Sequence, residues 1–223
     1  DKGAIRQSGQ LAATDLKLHA DGDLETRGDI SAQTASLTSG ATLSQAGTLS
    51  ASTITLDGSA VKNDGRTLSS GDLTVHGGSI DASGVLAAGV KDDGTLATVG
   101  DLHVSADSAL TAHGSMLAGH ALSAAANAID LSYGTQRAGG DATLIARAGN
   151  IDHTAGDLAV GGVLTAQASG ALVNRGVDGH DARMQANALL LTVASIDNGR
   201  GRLLQTGTSA WPLGTNGTLD NSG

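Results

Sequence analysis

The chain has 223 residues and few aromatic side chains, with no Phe, one Trp and one Tyr against 33 Gly. Aromatic rings supply much of the buried area of a globular core, so this chain must bury small aliphatic side chains in a narrow interior. A net charge of −9 with scattered basic residues, together with the absence of cysteine, excludes a basic patch for nucleic acid or anionic membranes, disulfides and thiolate chemistry.

The N-terminal residues, Asp1 to Ile5, lack the charged and apolar regions of a signal peptide. No apolar stretch approaches the ~20 residues that span a bilayer. We therefore expect no membrane-spanning segment. The first and last residues also lack the pattern of a capping unit, so we expect a piece of a longer repeat array rather than a capped one.

A repeat of 19 residues begins at Leu11. In the triplet Leu16, Lys17 and Leu18 a polar residue separates two apolar ones, which is the period of a β-strand with one buried face. Four positions of the repeat stay apolar along the chain: Leu11, Ile30, Leu49 and Leu68; Leu16, Ala35, Ile54 and Leu73; Leu18, Leu37, Leu56 and Val75; Leu24, Leu43, Val61 and Ile80.

The same template recurs with looser spacing beyond Val75, which makes about ten coils of roughly 19–21 residues in a single segment, 1–223. Two helices of ten or more residues do not fit into such a short unit rich in Gly, Thr and Ser, so a helical solenoid is excluded. The later matches are Leu96, Leu102, Val104 and Leu110; Leu117, Leu122, Ala124 and Ile129; Ala138, Leu144, Ala146 and Ile151; Leu158, Val163 and Leu172; Met184, Leu189, Leu191 and Ile196; Leu203.

Two segments, 61–75 (VKNDGRTLSSGDLTV) and 196–203 (IDNGRGRL), combine the repeat with a Gly-containing turn before a Leu. They resemble the haemagglutinin repeats of filamentous haemagglutinin and of contact-dependent growth inhibition exoproteins. The resemblance implies an all-β fold, a right-handed parallel β-helix. It also implies two-partner secretion through an outer-membrane β-barrel transporter, which would act on a domain absent here, and a stalk that carries an adhesive or toxic tip.

Two places break the repeat. Leu68 and Leu96 are 28 residues apart, so about nine residues near 85–94 are expected to leave the coil. Leu158 and Met184 are 26 residues apart, which predicts a second excursion near 176–183. Loops on a rigid scaffold often carry binding residues, but they are also where insertions cost least, and the sequence favours tolerated insertions.

The candidate binding residues lie in these excursions and at one corner: Lys91, Asp92 and Asp93; Asp178, His180 and Asp181; Arg27, Gly28 and Asp29. Carboxylates and imidazoles can bind divalent cations, but three in one Gly-rich loop favour a solvated turn. Filamentous haemagglutinin is known for an Arg-Gly-Asp motif; here the motif falls where a corner requires Gly in any case. No catalytic, metal or cofactor site is predicted.

Three further features receive a structural interpretation. The seven histidines are expected at the surface, and His19 and His76 share one outward phase three coils apart, roughly 14 Å, too far to share a metal. Trp211 is expected to fill a gap in the narrow core. Asn216 begins a glycosylation-type pattern that arises easily in a turn-rich chain.

We therefore expect a structural stalk segment, without enzymatic activity, of an exoprotein secreted to the surface of a Gram-negative bacterium; adhesin and growth-inhibition effector both remain open. One alternative is a module that binds a host or bacterial surface receptor through its coil faces or excursions. A less favoured one is a β-helical polysaccharide lyase or hydrolase, because the acids are dispersed and aromatic rings for a sugar are nearly absent.

Overall fold

The computed structural model describes residues 3–177, 179–210, 213–215 and 217–222. These residues form a β-solenoid of about 11 turns, with 22 strands in a single sheet, which confirms the predicted all-β parallel architecture. Its right-handed sense stays a prediction. The part of the chain that is described contains no helix, and therefore none that could cross a membrane.

The strands alternate with tight corners around each coil. They are β1 (Ile5–Gln7), β2 (Leu11–Ala20), β3 (Leu24–Thr26), β4 (Asp29–Gln45), β5 (Thr48–Ala51), β6 (Thr53–Asn63), β7 (Arg66–Ser69), β8 (Leu73–Ala82), β9 (Val85–Ala88), β10 (Leu102–Ala106), β11 (Ala109–Thr111), β12 (Ser115–Ala118), β13 (Leu122–Ala126), β14 (Ala128–Asp130), β15 (Thr135–Ala138), β16 (Ala142–Ala146), β17 (Ile151–Asp152), β18 (Asp157–Val173), β19 (Ala182–Asp197), β20 (Gly201–Gln205), β21 (Leu213–Thr215) and β22 (Leu219–Asp220).

Three ladders of inward side chains run along the solenoid, and each residue is in parallel register with its neighbours one coil away. Their spacing follows the usual ~4.8 Å between paired strands. The first ladder is Leu16, Ala35, Ile54, Leu73, Leu102, Leu122, Ala142, Leu164 and Leu189. The second is Ile5, Leu24, Leu43, Val61, Ile80, Leu110, Ile129, Ile151, Leu172, Ile196 and Leu219. The third is Leu11, Ile30, Leu49, Thr67, Leu86, Met116, Gln136, Leu158, Met184 and Leu203.

The ladders meet in one continuous core of Leu, Ile, Val, Ala and Met, in which most side chains are fully buried. Leu37, for example, has no exposed surface and lies in register between Leu18 and Leu56. Small aliphatic side chains suffice because the interior is only as wide as one coil. The core therefore extends along the axis rather than across it.

The third ladder corrects the predicted register at Leu68. Ser39 pairs with Gly58 but Thr42 pairs with Ala60, so β6 is one residue shorter than β4 at this bulge. The next inward residue is consequently Thr67, which is buried, while Leu68 points outward. The same shift of one position makes two later predictions wrong: Met116 rather than Leu117, and Leu164 rather than Val163, occupies the interior.

The first excursion starts later than predicted. Residues 85–88 form β9, which pairs with β7 on one side and β12 on the other, and so belong to the coil. The chain leaves the coil at Gly89 and returns at Gly100; Val90 and Leu96 form an antiparallel bridge between these points. Leu96 therefore belongs to a hairpin and not, as predicted, to a coil.

The second excursion is a tight hairpin. Val177 and His180 exchange two backbone hydrogen bonds of 2.9 and 2.8 Å, and Gly179 adopts a φ of 82° that favours glycine. Strand β19 resumes at Ala182, so 182 and 183 lie in the sheet rather than in the loop. Candidate Asp178, like Trp211 and Asn216, lies outside the described residues.

Candidate functional site

The Arg27-Gly28-Asp29 candidate lies at the corner between β3 and β4. A Cβ on Gly28 would lie 1.9 Å from the carbonyl oxygen of Gly9 in the preceding coil, and one on Gly47 would lie 2.1 Å from that of Gly28. The corners stack so closely that only glycine fits. Arg27 and Asp29 are exposed, and the Arg27 Nε donates to Glu25 Oε1 over 2.5 Å.

The Lys91-Asp92-Asp93 candidate forms the exposed tip of the first excursion. Asp93 Oδ1 accepts hydrogen bonds from the Thr95 hydroxyl, at 2.6 Å, and the Thr95 N–H, at 3.0 Å. These two bonds lower the pKa of Asp93 below its ordinary value. The carboxylate therefore stabilises its own turn.

The first excursion folds back along the rod and leaves a groove of about 370 Å³ beneath its tip. Ala87, an outward position in register with Leu68, is only 1% exposed, as expected if the hairpin covers this face. Four serines contribute to the lining of the groove, which consists of Ser31, Ala32, Ser50, Ala51, Ser52, Leu68, Ser70, Val90, Lys91, Asp92 and Gly94.

The described candidates of the second excursion, His180 and Asp181, make separate contacts. The His180 ring meets the Tyr133 ring edge-on, with centroids 6.4 Å apart, and Tyr133 is 60% exposed. Asp181 pairs with Arg202 at 3.5 Å. Across the described ranges, no three His, Asp or Glu side chains cluster in a way that could hold a metal ion.

Exposed histidines pair with carboxylates one coil away. His76 Nδ1 lies 2.9 Å from Asp57 Oδ1, and His120 Nδ1 lies 2.7 Å from Asp101 Oδ1. Partial burial opposes ionisation of Asp101, but hydrogen bonds from His120 and the Ala121 N–H outweigh it and lower the pKa of that carboxyl. These pairs tie neighbouring coils together.

A polar ladder that the repeat pattern did not predict, buried except at its last member, Asn221, runs along one interior edge of the last coils. His153 Nδ1 lies 2.9 Å from Asn174 Oδ1, Asn174 Nδ2 donates to Asn198 Oδ1 over 2.6 Å, and Asn198 Nδ2 donates to Asn221 Oδ1 over 2.6 Å. His153 has no exposed surface, so its predicted surface position is wrong. The recurring Ile-Asp-His, Ile-Asp-Asn and Leu-Asp-Asn triplets at 151, 196 and 219 are the signal that could have revealed the ladder.

In four coils an aspartate closes the corner beside this interior edge. One carboxylate oxygen accepts the N–H two residues ahead, an Asx turn, at 2.9 Å in three coils and 3.2 Å in one. These aspartates are Asp130, Asp152, Asp197 and Asp220. These aspartates therefore recur on one face because their side chains close the turn at the corner.

The chain is similar to parts of two bacterial proteins. It is 31% identical to Toxin CdiA of Yersinia pestis over 145 residues, which is 64% of this chain and 4% of that protein. It is 34% identical to tRNA nuclease CdiA-2 of Burkholderia pseudomallei strain 1026b over 96 residues, 43% of this chain and 3% of that protein. No family model and no solved structure matches the chain. This chain, a β-solenoid, is thus similar to a small part of each of these two CdiA proteins.

Proposed function

We propose that this chain is a spacer segment in the stalk of a large exoprotein of the contact-dependent growth inhibition type. The observation that carries the proposal is the continuity of the ladders through both excursions. Each excursion leaves the coil and returns to a parallel register with the coil before it. Each excursion therefore adds a surface loop without interrupting the parallel stacking of the coils along the rod, as a spacer requires.

The similarity to CdiA toxins supports the same proposal. The aligned regions make up 4% and 3% of those proteins, so most of each relative lies outside the aligned part. We place the chain, by analogy, in an exoprotein that a Gram-negative cell secretes through an outer-membrane transporter and displays at its surface. The toxic or adhesive activity would belong to another part of that exoprotein.

We also propose that the segment catalyses no reaction. Several of its described aspartates are engaged in Asx turns, as at Asp152 and Asp197, or in coil-to-coil pairs, as at Asp101. The nuclease in the name of the Burkholderia protein describes that protein, of which only 3% is aligned. No observation favours cleavage of a polysaccharide.

The spacer proposal is tested by removing one whole coil from the full-length exoprotein. Thr34 and Thr53 occupy equivalent positions, so deletion of 34–52 rejoins the chain in register. We expect normal secretion, undiminished growth inhibition or adhesion, and a rod shorter by ~4.8 Å. The matched control, deletion of 34–43, removes part of a coil and should prevent folding. Loss of activity in a secreted 34–52 variant would contradict the spacer role.

A second candidate function, lateral receptor binding, is favoured by the groove beneath Lys91 and Asp92. Deletion of 90–99 tests it, because Gly89 and Gly100 already touch: a Cβ on Gly100 would lie 2.3 Å from the Gly89 nitrogen. The deletion shortens the distance from Leu86 to Met116 to 20 residues, which equals the distance from Met116 to Gln136 in the next coil. Saturable binding to host or bacterial cells that disappears in this variant would establish the receptor role; unchanged binding would exclude the groove.

A further inference from the structure

His153 begins the polar ladder at the point where the interior edge changes from apolar to polar. In the coil before it, the corresponding corner carries Leu131, whose N–H donates to Asp152 O; in the coil after it, the corner carries Asn174. The imidazole is fully buried between the two. It therefore joins an aliphatic stack to an amide stack.

The hydrogen bonds of the ladder fix the tautomer of His153. The Asn174 amide nitrogen donates both to Asn198 Oδ1, at 2.6 Å, and to Arg202 O, at 3.2 Å, so Asn174 presents its oxygen to the imidazole. The Nδ1 atom must then carry the proton, and Nε2 is the bare nitrogen. Among the described residues, Nε2 is buried without a hydrogen-bond partner.

The surroundings of Nε2 leave little room for a compensating group. The backbone of Gly156 lies against the ring, since a Cβ there would come within 2.7 Å of Nε2. The charged groups nearest to His153 are Asp152, beside it in the chain, and Asp157 across the corner. Asp152 is held by Thr154, and Asp157 pairs with Arg137 and Arg183, while the adjoining coils present the uncharged Leu131 and Asn174.

We propose that His153 makes this part of the solenoid acid-sensitive: protonation of its buried imidazole breaks the junction between the two stacks and opens the coils around it before the rest of the rod. A second proton would sit on Nε2, which has no hydrogen-bond partner among the described residues. A buried charge without a partner is strongly destabilising, so the coil opens to hydrate it.

The direction of the pH effect follows from proton binding in the two states. Burial lowers the pKa of His153, and the hydrogen bond with Asn174 and the charges of Asp157 and Asp152 only partly oppose this. Below about pH 6.5 the unfolded segment binds a proton that the folded segment refuses. Stability is thus complete above that pH and falls below it, and the opening equilibrium rises by up to about tenfold per pH unit.

Hydrogen exchange measured by mass spectrometry at pH 7.5 and pH 5.0, corrected for intrinsic exchange rates, tests the proposal on the 223-residue chain. We expect protection to fall at pH 5.0 in peptides covering 142–197 and to hold in peptides covering 29–82. His153→Asn should remove the difference, because an amide continues the ladder and does not titrate. His76→Asn, at an exposed histidine, is the matched control and should leave the difference intact.

An equal loss of protection in both segments, or the same local loss in His153→Asn, would overturn the proposal. Should His153→Asn fail to fold, the imidazole Cε1–H resonance of His153 is followed by NMR in the wild-type chain. We expect it to keep the shift of a neutral ring below pH 6 for as long as the coil is folded. Titration near pH 6.5 with protection unchanged would equally refute the acid-sensitive junction.

Discussion

The N-terminal coils, residues 5–88, and the C-terminal coils, residues 122–222, build the same solenoid from different corners. In the N-terminal coils, glycines such as Gly28 and Gly47 let the backbone of one coil pack against a carbonyl oxygen of the coil before it. The repeat there keeps a step of 18 or 19 residues. In the C-terminal coils glycine also packs tightly, as at Gly201 against the Asn174 carbonyl oxygen, but Asx turns and the ladder from His153 to Asn221 are added to the corner. Steps there reach 26 residues, between Leu158 and Met184. Hydrogen bonds between coils can thus keep neighbouring coils in register where the number of residues per coil is no longer constant.

Removing an aliphatic side chain from the N-terminal coils should have the largest effect. Leu37→Ala deletes a side chain with no exposed surface and leaves a cavity in a core one coil wide. We expect a loss of about 2–5 kcal/mol in the free energy of unfolding, measured by urea denaturation. Ser36→Ala, at the adjacent outward position, is the control and should change it by less than about 0.5 kcal/mol. Comparable losses in both variants would contradict the assigned register.

Breaking the amide ladder should have the next largest effect, confined to the C-terminal coils. Asn174→Ala leaves the His153 Nδ1–H and the Asn198 carbonyl oxygen without their partners. Each orphaned buried polar group costs about 1–3 kcal/mol, so hydrogen-exchange protection of 142–197 should fall while that of 29–82 holds. Asn150→Ala, whose side chain accepts from the Ala171 N–H at an exposed site, is the control. A loss spread evenly over both regions would show that the ladder is not a local stabiliser.

Two substitutions at the Arg-Gly-Asp corner distinguish the packing role of its glycine from the side chains that a binding motif would use. Gly28→Ala places a Cβ against the Gly9 carbonyl, and overpacking of this kind costs about 1–3 kcal/mol. Asp29→Ala removes the carboxylate of the motif without entering the stack and should leave the thermal midpoint unchanged. Circular dichroism melting measures both variants. A thermal midpoint that falls for Asp29→Ala but not for Gly28→Ala would contradict the packing account.

The apolar ladders were readable from the sequence because each coil repeats Leu, Ile, Val or Ala at a fixed distance, as from Ile54 to Leu73. Prediction failed where the number of residues between inward positions changes by one. Because of the bulge opposite Gly58, Thr67 rather than Leu68 is the inward residue in register with Leu49. It also failed at Leu96, which matches the template but lies in a hairpin.

The buried polar side chains, His153 among them, could not be recognised residue by residue. The partner of His153 is Asn174, 21 positions away in the next coil. Such a contact exists only once the coils are stacked. The triplet around His153 indicates a buried position only when it is compared across coils with the Ile-Asp-Asn and Leu-Asp-Asn triplets at 196 and 219.

An ion pair on the surface of the C-terminal coils should have the smallest effect. The Arg137 guanidinium donates to Asp157 Oδ2, and this bond, aided by the charges of Arg137 and Arg183 against the opposing effect of burial, lowers the pKa of Asp157. Both side chains are more than a third exposed, at 36% and 39%, so Arg137→Gln should cost only about 0.2–1 kcal/mol at pH 7.

The pH dependence of the free energy of unfolding distinguishes the loss of this ion pair from a general change in charge. Stability from a carboxyl with a lowered pKa is present above its unfolded value, 3.8, and is lost as the pH falls through the folded value. Arg137→Gln should therefore lose less stability than the wild type between pH 4 and pH 2 in urea denaturation. Lys17→Gln, which removes one positive charge from an exposed residue of the N-terminal coils, is the control. An identical change in the acid limb of both variants would assign the effect to net charge rather than to the pair.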